Sequence, residues 1–326
     1  IIDGKTSVAV GATAITELTG NATNIKTALA SSGITTVTNS TLAVKVESGT
    51  ATVTEINTIN SDSATGVVTA VANTGDAATL VTLSTDNADK ITVTMANAST
   101  SAADLNTIDT KTSVAVNAAS ISLLTGTIAQ VQAAYTANTA GTITGLGDEA
   151  VTVTDVTLSS TDLNSLDLNT SGTITLSNAT TINVANGETL NLNNFTLSNS
   201  VTINDSTGNE NITGTSNSDT LNLNGGNDTV NLGEGSDTVN VNIGNIDTND
   251  NITDTGTRGT DTLNVNGTGT IDSASLIDVS GFETLNLGAG DNTITFDDTT
   301  EFSNFISEFT TIVDAGGPAT VSFGST

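Results

Sequence analysis

Apolar and polar residues alternate in short runs through the second half of the chain. The string acid-Thr-apolar-Asn-apolar begins at six positions, which are Glu188, Asp219, Asp228, Asp237, Asp261 and Glu283. Alternation with a period of two is typical of a half-buried β-strand. Three successive copies begin nine residues apart, so each nine-residue unit is predicted to form one short strand and one tight turn.

Two such units would complete one coil of a flattened spiral, and residues 18 apart would then stack on the same edge. We therefore expect Asp219 to stack with Asp237, and Glu210 with Asp228. A unit this short cannot bury its apolar side alone, so the units must stack and share a narrow core. The pattern predicts a mainly β fold, an elongated repeat β-solenoid or β-roll.

The first half of the chain contains longer repeats with short helices. Residues 2–29 align without a gap on residues 108–135, with identity at 14 of the 28 positions. At Thr52, Ser101 and Ser159 a hydroxyl residue precedes an acidic residue by three positions, an arrangement that starts a helix. We expect one or two helical turns after each of them. Longer helices are predicted over 21–30 and 127–138, and strands over 91–95, 113–116, 150–156 and 173–176.

The composition narrows the possible classes of function. The 326 residues include no Cys and no His, and only 2% are aromatic. The thiol nucleophile and the most common general base are therefore missing, and zinc lacks its preferred ligands. The clusters of Asp and Glu follow the repeats, as a structural period would place them. We expect a protein that is not an enzyme, with a core of small and β-branched residues.

The formal net charge of −29 is unevenly distributed. All five lysines lie in the first 111 residues, whereas residues 112–326 hold 25 Asp or Glu and a single basic residue, Arg258. Such a surface repels nucleic acid and anionic lipid, so neither is expected as a partner. No apolar run is long enough to predict a membrane span. Divalent cations would neutralise the acidic coils; the alternative is that the acidity only keeps an extracellular surface soluble.

Acidic turns that stack in this way suit calcium, which takes roughly six to eight oxygen ligands from carboxylates, backbone carbonyls and water. The segment 221–239 resembles the nonapeptides of repeats-in-toxin (RTX) proteins, whose pattern is G-G-x-G-x-D-x-apolar-x. The resemblance implies calcium-bound parallel β-rolls of proteins exported by type I secretion. The candidate metal-site residues are Asp219, Asp228, Asp237, Gly226, Gly233 and Gly235, to which the nine-residue phase adds Glu210 and the turn 256–261 adds Asp261.

The resemblance to the RTX pattern is incomplete. Leu223 and Asn224 stand where one turn would have its first two glycines, and the nine-residue phase breaks after Asp237. We therefore expect one or a few calcium sites and no long row of ions. The alternative is a metal-free β-helix with Asn- and Asp-rich turns.

Three regions follow from these patterns. Residues 1–170 are predicted to form tandem repeats of about 49–58 residues with short helices, residues 171–300 the acidic parallel β-solenoid, and residues 301–326 a Phe-containing segment. Helical spacing relates four apolar residues of this last segment, namely Phe302, Phe305, Ile306 and Phe309. The segment is either a cap for the open end of the solenoid or an interface for the next subunit.

Further resemblances point to the bacterial cell surface. Residues 281–296 are similar to strand motifs of S-layer proteins and large adhesins, and the first-half repeats are similar to those of very large surface proteins. These resemblances imply an extracellular surface-layer, sheath or fibre subunit that assembles with copies of itself, with cell-surface glycans as a further partner. Two alternatives stay open, which are a stalk segment of a large adhesin and the calcium-folding secretion module of an exported enzyme. Because the chain starts at Ile1 without a signal peptide, we expect a processed product or a fragment of a longer polypeptide.

Overall fold

The chain is built mainly of short strands that pair in parallel. The computed structural model describes residues 5, 7–35, 42–47, 49–63, 66–296, 299–315 and 320–323. The chain forms two compact units, the first of residues 1–152 with 169–172 and the second of residues 153–168 with 173–326. The prediction of a mainly β fold made of parallel repeats, with short helices in the first half, is confirmed. The domain limits drawn at residues 170 and 300 stay predictions.

The first unit contains short strands and helices in alternation. Its strands are β1 (Val10–Gly11), β2 (Glu17–Gly20), β3 (Ile34–Thr35), β4 (Ala43–Val46), β5 (Val68–Val71), β6 (Lys90–Thr92), β7 (Ser99–Ser101), β8 (Val116–Asn117), β9 (Leu123–Gly126), β10 (Ile143–Thr144) and β11 (Ala150–Val153). Its helices are α1 (Ala22–Leu29), α2 (Val53–Asp62), α3 (Ala77–Leu80), α4 (Ala102–Asp109) and α5 (Ile128–Ala140). One sheet has the strand order β2-β4-β5-β6, and β1 pairs with β3, β8 with β10 and β7 with β9.

The duplication read from the sequence is visible in the first unit. The elements β1, β2 and α1 begin at residues 10, 17 and 22, and β8, β9 and α5 begin at residues 116, 123 and 128. Each pair is therefore 106 residues apart, the offset of the sequence alignment. The aligned residues 2–4 lie outside the described part of the chain. The two copies thus share the same order of strand, strand and helix.

Hydroxyl caps start the short helices where the sequence predicts them. Thr52 begins α2 with a reciprocal capping box, in which Glu55 accepts the Thr52 amide and the Thr52 hydroxyl accepts the Glu55 amide. Ser101 begins α4 in a similar way, by accepting the amide of Asp104. The strand predicted over 113–116 is wrong except at its last residue, because the Val114 amide bonds the Thr112 hydroxyl in a turn before β8.

The second unit is a continuous series of short strands. Its strands are β12 (Thr157–Ser159), β13 (Ile174–Leu176), β14 (Thr181–Asn183), β15 (Thr189–Asn191), β16 (Phe195–Thr196), β17 (Thr202–Asn204), β18 (Asn211–Thr213), β19 (Thr220–Leu223), β20 (Thr229–Asn231), β21 (Thr238–Asn242), β22 (Asn251–Thr253), β23 (Thr262–Asn266), β24 (Gly269–Asp272), β25 (Val279–Ser280), β26 (Thr284–Leu287), β27 (Asn292–Phe296), β28 (Thr311–Asp314) and β29 (Thr320–Phe323). Its α-helices are α6 (Ser160–Asp167), at whose start the Ser159 hydroxyl accepts the Asp162 amide, and α7 (Thr299–Glu308). Within the described residues of the chain, no helix is both long and apolar enough to cross a membrane.

From β17 to β23 the second unit coils between two parallel sheets. Strands alternate between an eight-stranded sheet, of order β12-β14-β17-β19-β21-β23-β26-β28, and a five-stranded sheet, of order β15-β18-β20-β22-β25. Thr202 lies opposite Thr220, and Thr220 opposite Thr238, so one coil takes 18 residues here. The predicted stacking of Asp219 with Asp237 and of Glu210 with Asp228 is therefore confirmed.

A narrow apolar core fills the space between the two sheets. Each strand points alternate side chains inward, and the inward residues are Ile, Leu and Val. The buried rungs are Ile203, Leu221, Val239, Leu263 and Leu285 from the eight-stranded sheet and Leu190, Ile212, Val230, Ile252 and Val279 from the five-stranded sheet. Asn side chains on the outer face of the eight-stranded sheet donate in series from Asn286 through Asn264, Asn240, Asn222 and Asn204 to Asn183. The core and the outer ladder both repeat once per coil.

Aromatic rings pack against one another in the last part of the second unit. The ring of Phe296 makes edge contacts with Phe302 and Phe305, and Phe305 also contacts Phe309. Phe305 and Phe309 are buried, which confirms the helical spacing read from the sequence. Ile306 lies on the same predicted face but is 51% exposed, because the packed face of α7 is centred on Phe305.

Replacing a buried rung residue should destabilise the second unit. We expect Ile212→Ala to lower the free energy of unfolding by about 2–5 kcal/mol, because it removes apolar contacts and leaves a cavity between stacked rungs. Urea denaturation followed by circular dichroism measures the change. Ile277→Ala is the control, since Ile277 is 68% exposed and its loss should cost about 0.5 kcal/mol or less. Equal losses in the two variants would contradict the assignment of the core.

Candidate metal centre

A column of acidic side chains links the coils along one edge of the second unit. Each of these residues ends a turn that leads into the eight-stranded sheet, and one carboxylate oxygen accepts the backbone amide of the coil before it. The donor–acceptor distances are 3.0 Å from Val201 to Asp219, 2.6 Å from Asp219 to Asp237, 2.7 Å from Asp237 to Asp261 and 2.7 Å from Asp261 to Glu283. The repeated acid therefore replaces a main-chain acceptor at the end of each turn.

A second column runs along the opposite edge, where turns lead into the five-stranded sheet. The Gly187 amide donates to Glu210 at 2.6 Å, the Glu210 amide to Asp228 at 2.9 Å and the Asp228 amide to Asp250 at 3.0 Å. These bonds tie each coil to the next through a charged side chain. Hydrogen bonds to charged groups are about twice as strong as those between neutral groups. The columns thus hold the turns in register.

The acids of these columns are of two kinds, which differ in whether a protein group donates a hydrogen bond to the second carboxylate oxygen. In Asp219 the second oxygen accepts the Thr215 amide at 2.9 Å and the Thr215 hydroxyl at 2.7 Å. In Asp250 it accepts the Asp247 amide at 2.9 Å. These two carboxylates are therefore satisfied entirely by protein donors.

Three other acids lie close together, and one carboxylate oxygen of each receives no hydrogen bond. We call Asp205, Glu210 and Asp228 the first carboxylate cluster, because each offers one oxygen within 4.8 Å of the other two. All three side chains are buried. Asp205 Oδ1, Glu210 Oε2 and Asp228 Oδ2 are shielded from solvent and have no hydrogen-bond partner. Burying such oxygens without a partner is costly, so this cluster needs a counter-ion or protons.

Asp237, Asp254 and Asp261 form a second carboxylate cluster, whose ligand oxygens also lie within 4.8 Å of one another. Asp254 and Asp261 bound one turn, and Asp237 ends the equivalent turn of the coil before it. All three are buried, and Asp237 Oδ2 and Asp254 Oδ2 have no partner. Both clusters therefore combine the two ends of one turn with the end of a turn from an adjacent coil.

Burial shifts the protonation of both clusters in the metal-free protein. It raises the pKa of Asp205 to about 7 and of Asp228 to about 6, and the nearby charge of Glu210 adds to both shifts. It raises the pKa of Asp237 to about 8 and of Asp254 to about 6, with further contributions from Asp254 and Asp261 respectively. Without a cation, Asp237 and about half of Asp205 therefore stay protonated near neutral pH, whereas Asp228 and Asp254 bind protons only in mildly acidic solution.

The predicted glycines lie where turns of neighbouring coils touch. Gly226 has φ +148°, and a Cβ atom there would lie 1.4 Å from the backbone oxygen of Gly208. Gly233 has φ +96°, and its Cβ would lie 2.6 Å from the Thr215 oxygen. A Cβ on Gly235 would come equally close to the Asn217 oxygen. Only glycine allows this approach, so these residues set the turn spacing that brings the acids together.

The structure unites some of the predicted ligand residues and separates others. Glu210 and Asp228 meet in the first cluster, and Asp237 and Asp261 in the second. Asp219 lies in neither, since protein donors occupy both of its oxygens. The sequence reasoning missed Asp205 and Asp254. Each stands at the start of its turn, whereas the RTX pattern marks the acid at the end of a turn. An acid at both ends of the same turn, as in 205–210 and 254–261, is the signal that would have found them.

The first cluster fits a hard divalent cation. All of its free donors are carboxylate oxygens, the kind of ligand that calcium prefers over the nitrogen and sulfur ligands of zinc. Asp205, Glu210 and Asp228 would hold the ion, and backbone carbonyls or water would complete its shell. The two positive charges of the ion would offset most of the negative charge of the three buried carboxylates. Such an ion would join two adjacent coils.

The raised pKa values give the metal-free protein an unusual pH dependence. The folded carboxyl groups keep protons up to about pH 6–8, whereas the unfolded groups release them near pH 4, so the folded state binds more protons between these limits. Stability without calcium should therefore fall as pH rises from about 5 to about 8. Urea denaturation in metal-free buffers at a series of pH values measures this slope.

Saturating calcium is the control for this pH series. It should remove the fall in stability, because the ion binds the ionised carboxylates that the metal-free fold disfavours. Glu55 and Asp76 do not contribute to the change in stability over this pH range, because capping hydrogen bonds lower the pKa of each below its ordinary value. A metal-free stability that rises over the same pH range would contradict the burial of uncompensated carboxyl groups.

Comparison with known proteins identifies the repeats that carry the first cluster. A family model described as the RTX calcium-binding nonapeptide repeat matches four copies over residues 205–239. No significant match was found to a curated protein or to a solved structure. The matched residues begin at Asp205 and include Glu210 and Asp228, the whole of the first cluster. Such repeats are typical of secreted proteins. The chain therefore carries RTX calcium-binding nonapeptide repeats, and calcium is the ion that these repeats bind.

Proposed function

We propose that this chain is a structural protein of the bacterial cell surface, a surface-layer, sheath or fibre subunit that assembles with copies of itself. Calcium holds adjacent coils of its second unit together in this role. The observation that carries the proposal is the set of buried carboxylate oxygens without partners in a parallel coil built from RTX repeats. A protein with this chemistry gains its rigidity only where calcium is abundant.

The charge distribution supports an extracellular setting. Beyond residue 111 the chain has one basic residue, Arg258, so the second unit supplies almost no counter-charge of its own. Arg258 is largely exposed, and its nearest carboxylate is Glu234 at 4.0 Å. Extracellular calcium modules work with dissociation constants of roughly 10⁻⁴–10⁻³ M, which match the concentration outside cells. The same sites would stay metal-poor in a cytosol.

The absence of catalytic chemistry supports a structural role over an enzymatic one. Among the described residues, a cavity of about 300 Å³ lies between the loop around Leu276 and helix α7. Its lining is mostly apolar and Ser side chains, and its carboxylate, Glu308, accepts the Gly281 amide. Without His or Cys in the chain, this cavity offers no nucleophile with an adjacent base. We therefore propose that the chain is not an enzyme.

An exposed sheet edge supports self-association. Strand β28 is the last strand of the eight-stranded sheet and pairs with β26 on one side. It carries Ile312 and Val313, which are 42% and 46% exposed. An edge strand with apolar side chains is a template for a strand from another chain. A second copy that adds here would extend the sheet from one subunit to the next.

Calcium removal should loosen the second unit before the first. We expect faster amide hydrogen exchange over 205–262 after treatment with a chelator, because the clustered carboxylates lose their counter-ion. The first unit is the internal control, since its buried Asp89 accepts the amides of Val68 and Asp86 and needs no ion. Mass spectrometry of the exchanged protein locates the change. Equal or unchanged exchange in both units would contradict this role of calcium.

Purified chain should form regular assemblies when calcium is present. We expect lattices or filaments by negative-stain electron microscopy at millimolar calcium, and their loss after chelation, because repulsion between acidic coils is then no longer neutralised. Ile312→Lys should weaken assembly by adding charge to the exposed edge of β28, while Ile277→Lys, at another exposed Ile, should not. Single particles under every condition would contradict the assembly proposal and favour the adhesin stalk.

A further inference from the structure

The two duplicated segments of the first unit differ in how deeply their apolar residues are buried. We call residues 2–29 the first duplicate and residues 108–135 the second duplicate. Three aligned pairs are identical apolar residues, namely Val10 with Val116, Ile15 with Ile121 and Leu18 with Leu124. In the second duplicate each of these residues is at most 3% exposed. In the first duplicate Ile15 is 37% exposed, and Val10 and Leu18 are half-buried. The first duplicate therefore leaves open an apolar face that the second duplicate buries.

A preceding strand and helix cover the second duplicate. Its strand β9 lies between β7 and β11, with Leu124 opposite Thr100 of β7. Helix α4 packs against α5, and the Asn106 side-chain amide donates to the Gln130 carbonyl at 2.9 Å. The equivalent strand of the first duplicate, β2, pairs with β4, and among the described residues no strand pairs with its other side. What β2 lacks is therefore a preceding parallel strand.

A complementary open edge lies at β28 in the second unit. Ile312 of this strand is in register with Leu285, a buried rung residue of β26. Ile312 nevertheless is 42% exposed, because in the part of the chain that the structure describes no strand follows β28 in its sheet. Strand β28 therefore lacks a following parallel strand, whereas β2 lacks a preceding one. Each edge offers what the other needs.

We propose that β2 of one chain receives β28 of a second copy of this chain as its preceding strand. With Ile312 opposite Leu18, the column of rung residues would continue from Leu285 through Ile312 to Leu18 and Val44 of the next chain. The inference rests on the proposed self-assembly and names the surface that accepts β28. Because the two surfaces differ, the contact is heterologous and repeats from chain to chain, as in a ring or a filament.

The distribution of charge favours contact between these two unlike edges. Residues 284–314, which include β26 and β28, hold six acids and no Lys or Arg. Residues 17–47, which include β2 and β4, hold two Glu and two Lys and are therefore balanced. Like charges placed against each other across an interface disfavour association. Two β28 edges would therefore repel each other, whereas β28 and β2 would not.

Disulfide cross-linking tests this contact in a chain that has no Cys of its own. A protein with both Leu18→Cys and Ile312→Cys should form a ladder of covalent oligomers when oxidised at millimolar calcium. Neighbouring strands lie about 4.8 Å apart, within the range of about 4.4–6.8 Å over which a disulfide joins two Cα atoms. Leu18→Cys with Ile277→Cys is the matched control, since Ile277 is exposed but lies outside β28. The control and each single variant should give no ladder.

Hydrogen exchange of the unchanged protein compares the two duplicates directly. Assembly should slow amide exchange over 15–20, whereas exchange over 121–126, which β7 already covers, should not change. Assemblies that form without this protection and without the ladder would overturn the contact but leave the proposed self-assembly standing. Covalent dimers of the Ile312→Cys variant alone would overturn it in favour of contact between two β28 edges. A chain that never assembles would overturn both the contact and the proposed function.

Discussion

The structure depends on a hydrogen bond between a carboxylate that ends one turn and a backbone amide of the preceding coil. This bond recurs on both edges, from Asp219 to Glu283 on one and from Glu210 to Asp250 on the other. It keeps the turns in register, yet it also places ionisable groups in columns at the spacing of β-strands, about 4.8 Å. Charges held so close in a dry edge repel each other. What neutralises them decides the conditions under which the fold is stable.

The chain solves this problem differently in its two units. In the first unit, Glu149 is buried, but Tyr135 and the Gly147 amide donate to its two oxygens, and Asp89 is satisfied by two amides. These two buried acids therefore need no counter-ion. In the second unit, donors run out at the two carboxylate clusters, and the remaining oxygens have no partner. The first unit thus pairs these buried acids with its own donors, while the second leaves oxygens for protons or an external cation.

The sequence predicts the coil better than the site. A strict nine-residue phase forces equivalent residues 18 apart into one column, so the stacking of Asp219 with Asp237 follows from counting. Hydroxyl caps such as Thr52 act within one turn of chain, so the helix starts follow as well. The metal-binding groups depend on contacts between turns, which a linear pattern does not contain. Asp205 and Asp254 were missed for this reason, since each meets an acid from an adjacent coil only after folding.

The donors around each repeated acid determine whether one of its oxygens is left for a cation. Thr215 stands four residues before Asp219, and its amide and hydroxyl satisfy the second oxygen of that carboxylate. One coil later Gly233 stands four residues before Asp237, and it has no hydroxyl to offer. The same oxygen of Asp237 is then left for an external ligand. The acid of the repeat builds the column, but an oxygen stays free for a cation only where the surrounding donors leave it unpaired, so not every repeat copy supplies a ligand.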